Sequence, residues 1–270
     1  MIKQPDPRLV SKVYCHKLEC LEDFLKSFAS GGSAQGYCYL ELFAKPGEYR
    51  CKESGAIVKD LSHRALRIKP GFGRYVFAVP SADHPAEFSG IDALVISGNI
   101  LYDSTRRQIF DQIPRSSDIL CIIDPSGYSR LRWSTMKKII TGGTNWQGYR
   151  MDMLFIFPLE NALFKNISRP NCRYSLTRFF GTNGWQGTAK DLAEGQIPPL
   201  KARLKMINLY AENLKGQGYR HVEVFNPAKP GRIPDYFIIW ASDRQSRIRQ
   251  IKNIWQKTRF LPGEMFHQPL

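Results

Sequence analysis

Seven short apolar runs decide what this chain can fold into: YCYLELFA (37–44), RYVFAVP (74–80), IDALVISG (91–98), DILCIIDP (118–125), DMLFIFP (152–158), HVEVFN (221–226) and DYFIIWAS (235–242). Several are apolar on both faces, as strands are when helices cover them from above and below. Helix-capable segments fall between them, at 54–69 after the first run, 105–113 after the third and 131–140 after the fourth. Strand and helix in alternation predict an α/β fold with a doubly wound, mostly parallel sheet. The last two runs are separated only by PAKPGRIP, too short for a crossover helix, so they are expected to pair as an antiparallel hairpin.

Around this core the reading adds two helical parts. Tyr14, Leu18, Leu21, Leu25 and Phe28 recur at spacings of three and four, which predicts an amphipathic helix over 11–30, closed by Gly31 and Gly32. Some sixty residues separate the fifth and sixth runs, far more than one crossover needs, and LKARLKMINLYAENLK within them reads as a long basic helix. The expected organisation is an N-terminal helical segment (1–35), a core (36–160 and 215–260), a helical insertion (161–214) and a tail (261–270). An insertion at the carboxyl edge of such a sheet is a usual place for substrate-specific loops.

Composition narrows the partners. Lys and Arg number 39 against 24 Asp and Glu, a formal net charge of +15, and between Lys201 and Phe260 thirteen basic residues face four acidic ones. A surplus of this size favours polyanions, nucleic acid above all, with Arg130, Arg132, Lys201, Arg203 and Lys205 as candidate contacts, although a basic surface also serves solubility alone. No run approaches the roughly 18–20 apolar residues that span a bilayer, and the first residues lack the apolar stretch of a secretion signal; a soluble, cytoplasmic protein with no membrane partner is expected. The six cysteines include no CxxC pair, so buried free thiols are expected and no metal site.

The stretch YLELFAKPGEYR (39–50) places a loop at the end of the first strand, where such folds bring backbone to a nucleoside or phosphate. Five parallel strands followed by an antiparallel pair resemble class I S-adenosylmethionine-dependent methyltransferases, Rossmann-like proteins with strand order 3-2-1-4-5-7-6. That likeness implies S-adenosylmethionine as cofactor, with Glu41, Phe43, Gly47 and Asn99 lining its crevice. Two features depart from it: Lys45 stands where glycine is usual, and FAVPSAD carries no acid at the end of the second strand, with Asp83 too far along. In CIIDPSGYSRLRW, Asp124 and Tyr128 occupy the place where base-modifying methyltransferases hold the target amine and stack on a flipped base; the bland alternative is a strand-ending turn. Asn99 has the same alternative, since an Asn after a Gly commonly serves a turn. GxSxG, HExxH and GxxxxGK[ST] are all missing, which removes the commonest serine hydrolase, zinc protease and nucleotide triphosphatase signatures.

SKVYCHKLECLEDFLKSF, YLELFAKPGEYR, IIDPSGY, MLFIFPLENALFK, LTRFFGTNGW and PDYFIIWASDRQSRIRQIKNIW together resemble the three-Cys-motif partner proteins, over about residues 11–255. The resemblance implies a methyltransferase-type fold and a protein partner bearing three cysteines. Members more often read D-L-F-A-G-P-G in the first loop, so Glu41 and Lys45 are departures. Two functions follow as alternatives. One is methyl transfer to nucleic acid, with Asp124 and Tyr128 as catalytic residues; the other is a non-catalytic binding or partner protein with a basic surface.

Overall fold

A computed structural model describes residues 7–30, 34–80, 93–125, 127–158, 163–226, 236–257 and 261–262. Eleven strands and eight α-helices are described, and seven of the eight strands of the larger sheet come from the runs named above. In chain order its strands are β2 (Tyr37–Leu42), β5 (Arg74–Val79), β6 (Leu94–Ser97), β7 (Asp118–Ile123), β8 (Asp152–Phe157), β9 (His221–Asn226), β10 (Phe237–Ser242) and β11 (Leu261–Pro262). They lie side by side as β11-β9-β10-β8-β7-β2-β5-β6. The five from β6 to β8 are parallel, and β10 runs antiparallel to both β8 and β9. The last two apolar runs therefore pair antiparallel as their short connection requires, and the tail supplies β11 on the outer edge of β9.

Helices cover both faces. On one lie α3 (Asp103–Asp111), α4 (Trp133–Gly142), α5 (Arg173–Phe180), α6 (Trp185–Ala193) and α7 (Pro199–Gly216); on the other lie α1 (Lys12–Phe28), α2 (Leu61–Leu66) and α8 (Gln245–Lys257). Alternation along β2 feeds the two cores in turn: Cys38, Leu40 and Leu42 face the first set, while Tyr37 and Tyr39 face the second. Helix α1 follows its period of apolar residues, with Ser11 as N-cap accepting a hydrogen bond from the Tyr14 amide; Gly31 and Gly32 lie outside the described residues. No described helix is long and apolar enough to cross a membrane.

One expectation fails. The segment 54–69 is helical only over Leu61–Leu66, and β3 (Glu48–Cys51) and β4 (Ile57–Lys59) form a hairpin ahead of it, joined by β1 (Arg8–Val10) into a second, three-stranded sheet. Tyr49 and Cys51 alternate inward against exposed Glu48 and Arg50, the period of a strand, and Gly55 turns the hairpin at φ 71°. The chain leaving β2 therefore enters a hairpin before it reaches its crossover helix.

The helical insertion owes its shape to FFGTNGW. Gly181 ends α5 in the left-handed region at φ 72°, and a Cβ there would sit 2.2 Å from Trp133 Cδ1. Asn213 of α7 donates to the Phe180 carbonyl at 2.7 Å, and the Trp185 indole donates to Thr177 Oγ1 at 3.1 Å, so the turn is fixed from both sides. Gly181→Ala is expected to cost about 2–3 kcal/mol in urea unfolding, combining left-handed strain with overpacking against Trp133.

Candidate functional site at the carboxyl edge

Strand β2 has different neighbours on its two sides, β5 and β7, and the crossovers on those sides lie on opposite faces. The carboxyl end of β2 is thus the point where a parallel sheet opens a crevice. Here the chain turns at Phe43, whose φ of 64° is a left-handed conformation that a bulky side chain rarely adopts. Phe43, Pro80, Asn99, Leu101 and Arg130 line a crevice of about 200 Å³ at this place. Three of the expected residues, Phe43, Asn99 and Arg130, are therefore brought together.

Glu41 lies beneath, on the α1 and α2 side, and its Oε2 accepts from Ser62 Oγ at 2.9 Å and from the Tyr39 hydroxyl at 3.1 Å. Burial, with Asp60 nearby, pushes its carboxyl up to about 8. The Gly47 amide, which a cofactor loop would turn outward, donates to Asp60 Oδ2 at 2.8 Å. Asp60 is the N-cap of α2, also holds His63, and donates its own amide to the Gly47 carbonyl. The Tyr49 hydroxyl closes the loop on the Lys45 carbonyl at 2.8 Å. Asn99 is spent locally too, its side-chain oxygen accepting the Leu101 amide at 3.0 Å, which is the turn chemistry an Asn after a Gly favours. Asp83 lies outside the described residues.

Asp124 directly follows β7 and meets Lys17 of α1, Nζ to Oδ2 2.5 Å, with both side chains largely buried. Burial alone would raise the Asp124 carboxyl, but Lys17 and Lys45 outweigh it and hold the group below the usual carboxylate range. Burial, reinforced by Lys17, lowers the Lys45 ammonium against the opposing pull of Asp124 and Glu41. Tyr128 does not share this cluster. Its ring is buried in the core of the opposite face, edge-on to Phe179 at 6.2 Å, and burial beside Cys172 pushes its hydroxyl up to about 12. The structure thus separates the two residues expected to act together on a substrate.

The expected nucleic-acid contacts divide as well. Arg130, Arg132 and Lys201 are exposed. Arg203 is buried, with its guanidinium 4.1 Å from the Phe164 ring centroid, and Lys205 reaches Asp191 at 3.4 Å. Helix α7 spends those two cations inside the insertion because its inward face carries them.

The sequence reading missed Lys17, although Tyr14, Lys17 and Leu21 fall on the same stripe, and a lysine on an apolar stripe signals a buried partner. No family model matches the chain, and no curated protein matches it. Among solved structures, the crystal structure of a Legionella pneumophila protein of family DUF519 is similar with TM-score 0.43 at 10% identity, covering 91% of this chain and 92% of that one.

Proposed function

We propose that this chain is a three-Cys-motif-partner-like protein of the methyltransferase-type fold that serves as a non-catalytic, basic nucleic-acid-binding partner protein. The strand order supports the fold: numbered within the larger sheet without the tail strand it reads 3-2-1-4-5-7-6, with the seventh strand antiparallel. The observation that carries the function is the ion pair of Lys17 with Asp124, which gives the carboxylate expected to hold a substrate amine a permanent partner inside the protein. The groups expected to receive S-adenosylmethionine do not fit it. Glu41, the Gly47 amide and the Asn99 oxygen are each engaged within the chain, and about 200 Å³ falls short of the roughly 300–1,000 Å³ of small-molecule sites.

Methyl transfer remains a second reading, favoured by the position of the crevice and by the strained backbone of Phe43 that lines it. Calorimetric titration separates the two. No detectable heat is expected with S-adenosylmethionine or S-adenosylhomocysteine, whereas oligonucleotides bind with salt-dependent affinity. Cofactor binding in the micromolar range, about −8 kcal/mol, overturns the non-catalytic reading.

A further inference from the structure

The face that carries α3 and α4 holds a groove of about 1220 Å³, distinct from the crevice at the end of β2. It runs from Asp103 and Ser134 to Ser117 and Arg150 at the amino edge of the sheet. Six basic residues and two acidic ones line it. Asp103 is shared by Arg106 and Lys138, and Arg150 is held by Asp243 at 2.9 Å. Arg107, Arg115 and Lys137 are exposed, and their side chains make no ion pair with another described residue. Three cations left together in a concavity form a field that attracts a polyanion.

Two exposed aromatic residues adjoin lining residues in sequence, Tyr102 next to Asp103 and Trp146 next to Asn145. Tyr102, 64% exposed, precedes α3, and Trp146, 73% exposed, tops the turn that follows α4. That turn is rigidly mounted. Asn145 Oδ1 accepts the amides of Gln147 and Tyr149 at 3.1 and 2.9 Å, and the Trp146 amide donates to the Arg115 carbonyl at 3.1 Å. The backbone of Trp146 is thus held beside that of Arg115, with the indole exposed. Cations along a groove with exposed aromatic residues next to its lining are what an unpaired strand needs: phosphates take the charges and base faces take the rings.

We propose that the α3–α4 groove binds single-stranded nucleic acid, with its phosphates on Arg107, Arg115 and Lys137 and its bases stacked on Trp146 and Tyr102. This rests on the nucleic-acid part of the function proposed above, and it places the contact away from the C-terminal surplus of charge. The test is fluorescence anisotropy of labelled single-stranded DNA and RNA oligonucleotides on the full chain, across a salt series. Arg107→Ala/Arg115→Ala/Lys137→Ala is expected to lose about tenfold in affinity and to flatten the salt slope by about 2. Trp146→Ala is expected to lose about fivefold or more with the slope unchanged. All four positions are exposed, so unaltered melting temperatures confirm the fold, and Lys52→Ala, at an exposed cation that does not line the groove, serves as a control with parental affinity. Parental affinity and slope in the triple variant overturn the groove while leaving nucleic-acid binding intact. Absence of binding by the parent at low salt overturns both. Tighter binding of a duplex overturns the single-strand assignment, and displacement by polyglutamate at equal charge reassigns the groove to an acidic protein.

Discussion

Replacing Lys17 by Met with Asp124 left in place is expected to lower stability by about 3–5 kcal/mol, because it strands a buried carboxylate without its partner. The pair lies 2.5 Å apart with side chains only 10% and 18% exposed, so solvent screens it little. Lys17→Met/Asp124→Asn is expected to regain most of the loss, since a neutral amide at the end of β7 needs no counter-charge. Urea unfolding of the two single variants and the double variant gives the coupling directly. The pH dependence has a definite sign. Asp124 has a folded pKa below its ordinary value, so its contribution is present above the ordinary carboxylate range and lost as pH falls through the lower folded value. Relative to Lys17→Met, in which burial acts on Asp124 without Lys17 to oppose it, the wild-type advantage is therefore expected to shrink as pH falls through the variant's higher value and to be gone below the lowered wild-type one. A Lys17→Met variant of parental stability would mean that the carboxylate is free to serve a substrate, and the non-catalytic reading would fail with it.

The sheet was legible because each strand of the larger sheet except β11 comes from a contiguous, largely apolar run, and periodicity within a run needs no knowledge of its partners. The hairpin of β3 and β4 was not. EYRC and IVK are short and half polar, and they become strands by pairing with each other and with Arg8–Val10, some forty residues away. The candidate site shows the same limit. Glu41, Gly47, Asn99 and Asp124 could be placed at strand ends from sequence, yet what they bond to depends on Asp60, Ser62 and Lys17, brought in by α1 and α2. Lys17 and Asp124 are separated by 107 positions. Counting charge has a related limit. The C-terminal stretch is rich in cations, but Arg203 is buried, Arg244 pairs with Asp118, and Arg247 lies over the rings of Phe28 and Tyr37. Composition says how many cations exist, and only packing says which ones face solvent.

Glu41→Gln is expected to remove a pH dependence that wild type carries between pH 4.5 and about 8. Burial and the neighbouring Asp60 raise the folded-state pKa of Glu41 to about 8 from an ordinary 4.5, so the folded protein keeps this proton across a range in which the unfolded chain sheds it. The contribution is fully present below the ordinary value and is lost as pH rises through the folded one. At 1.36 kcal/mol per pKa unit the loss is about 5 kcal/mol at most. Glutamine is neutral in both states, and its carbonyl can still accept from Tyr39 and Ser62. Chemical unfolding at pH 5 and pH 9 should therefore find the two proteins close at the lower pH and the variant more stable at the higher one. Parallel curves would mean that Glu41 is ionised in the fold. The distinction bears on function, because an ionised carboxylate at the end of β2 could balance a cofactor's ammonium group. A protonated one, already accepting two hydrogen bonds, offers a cation nothing.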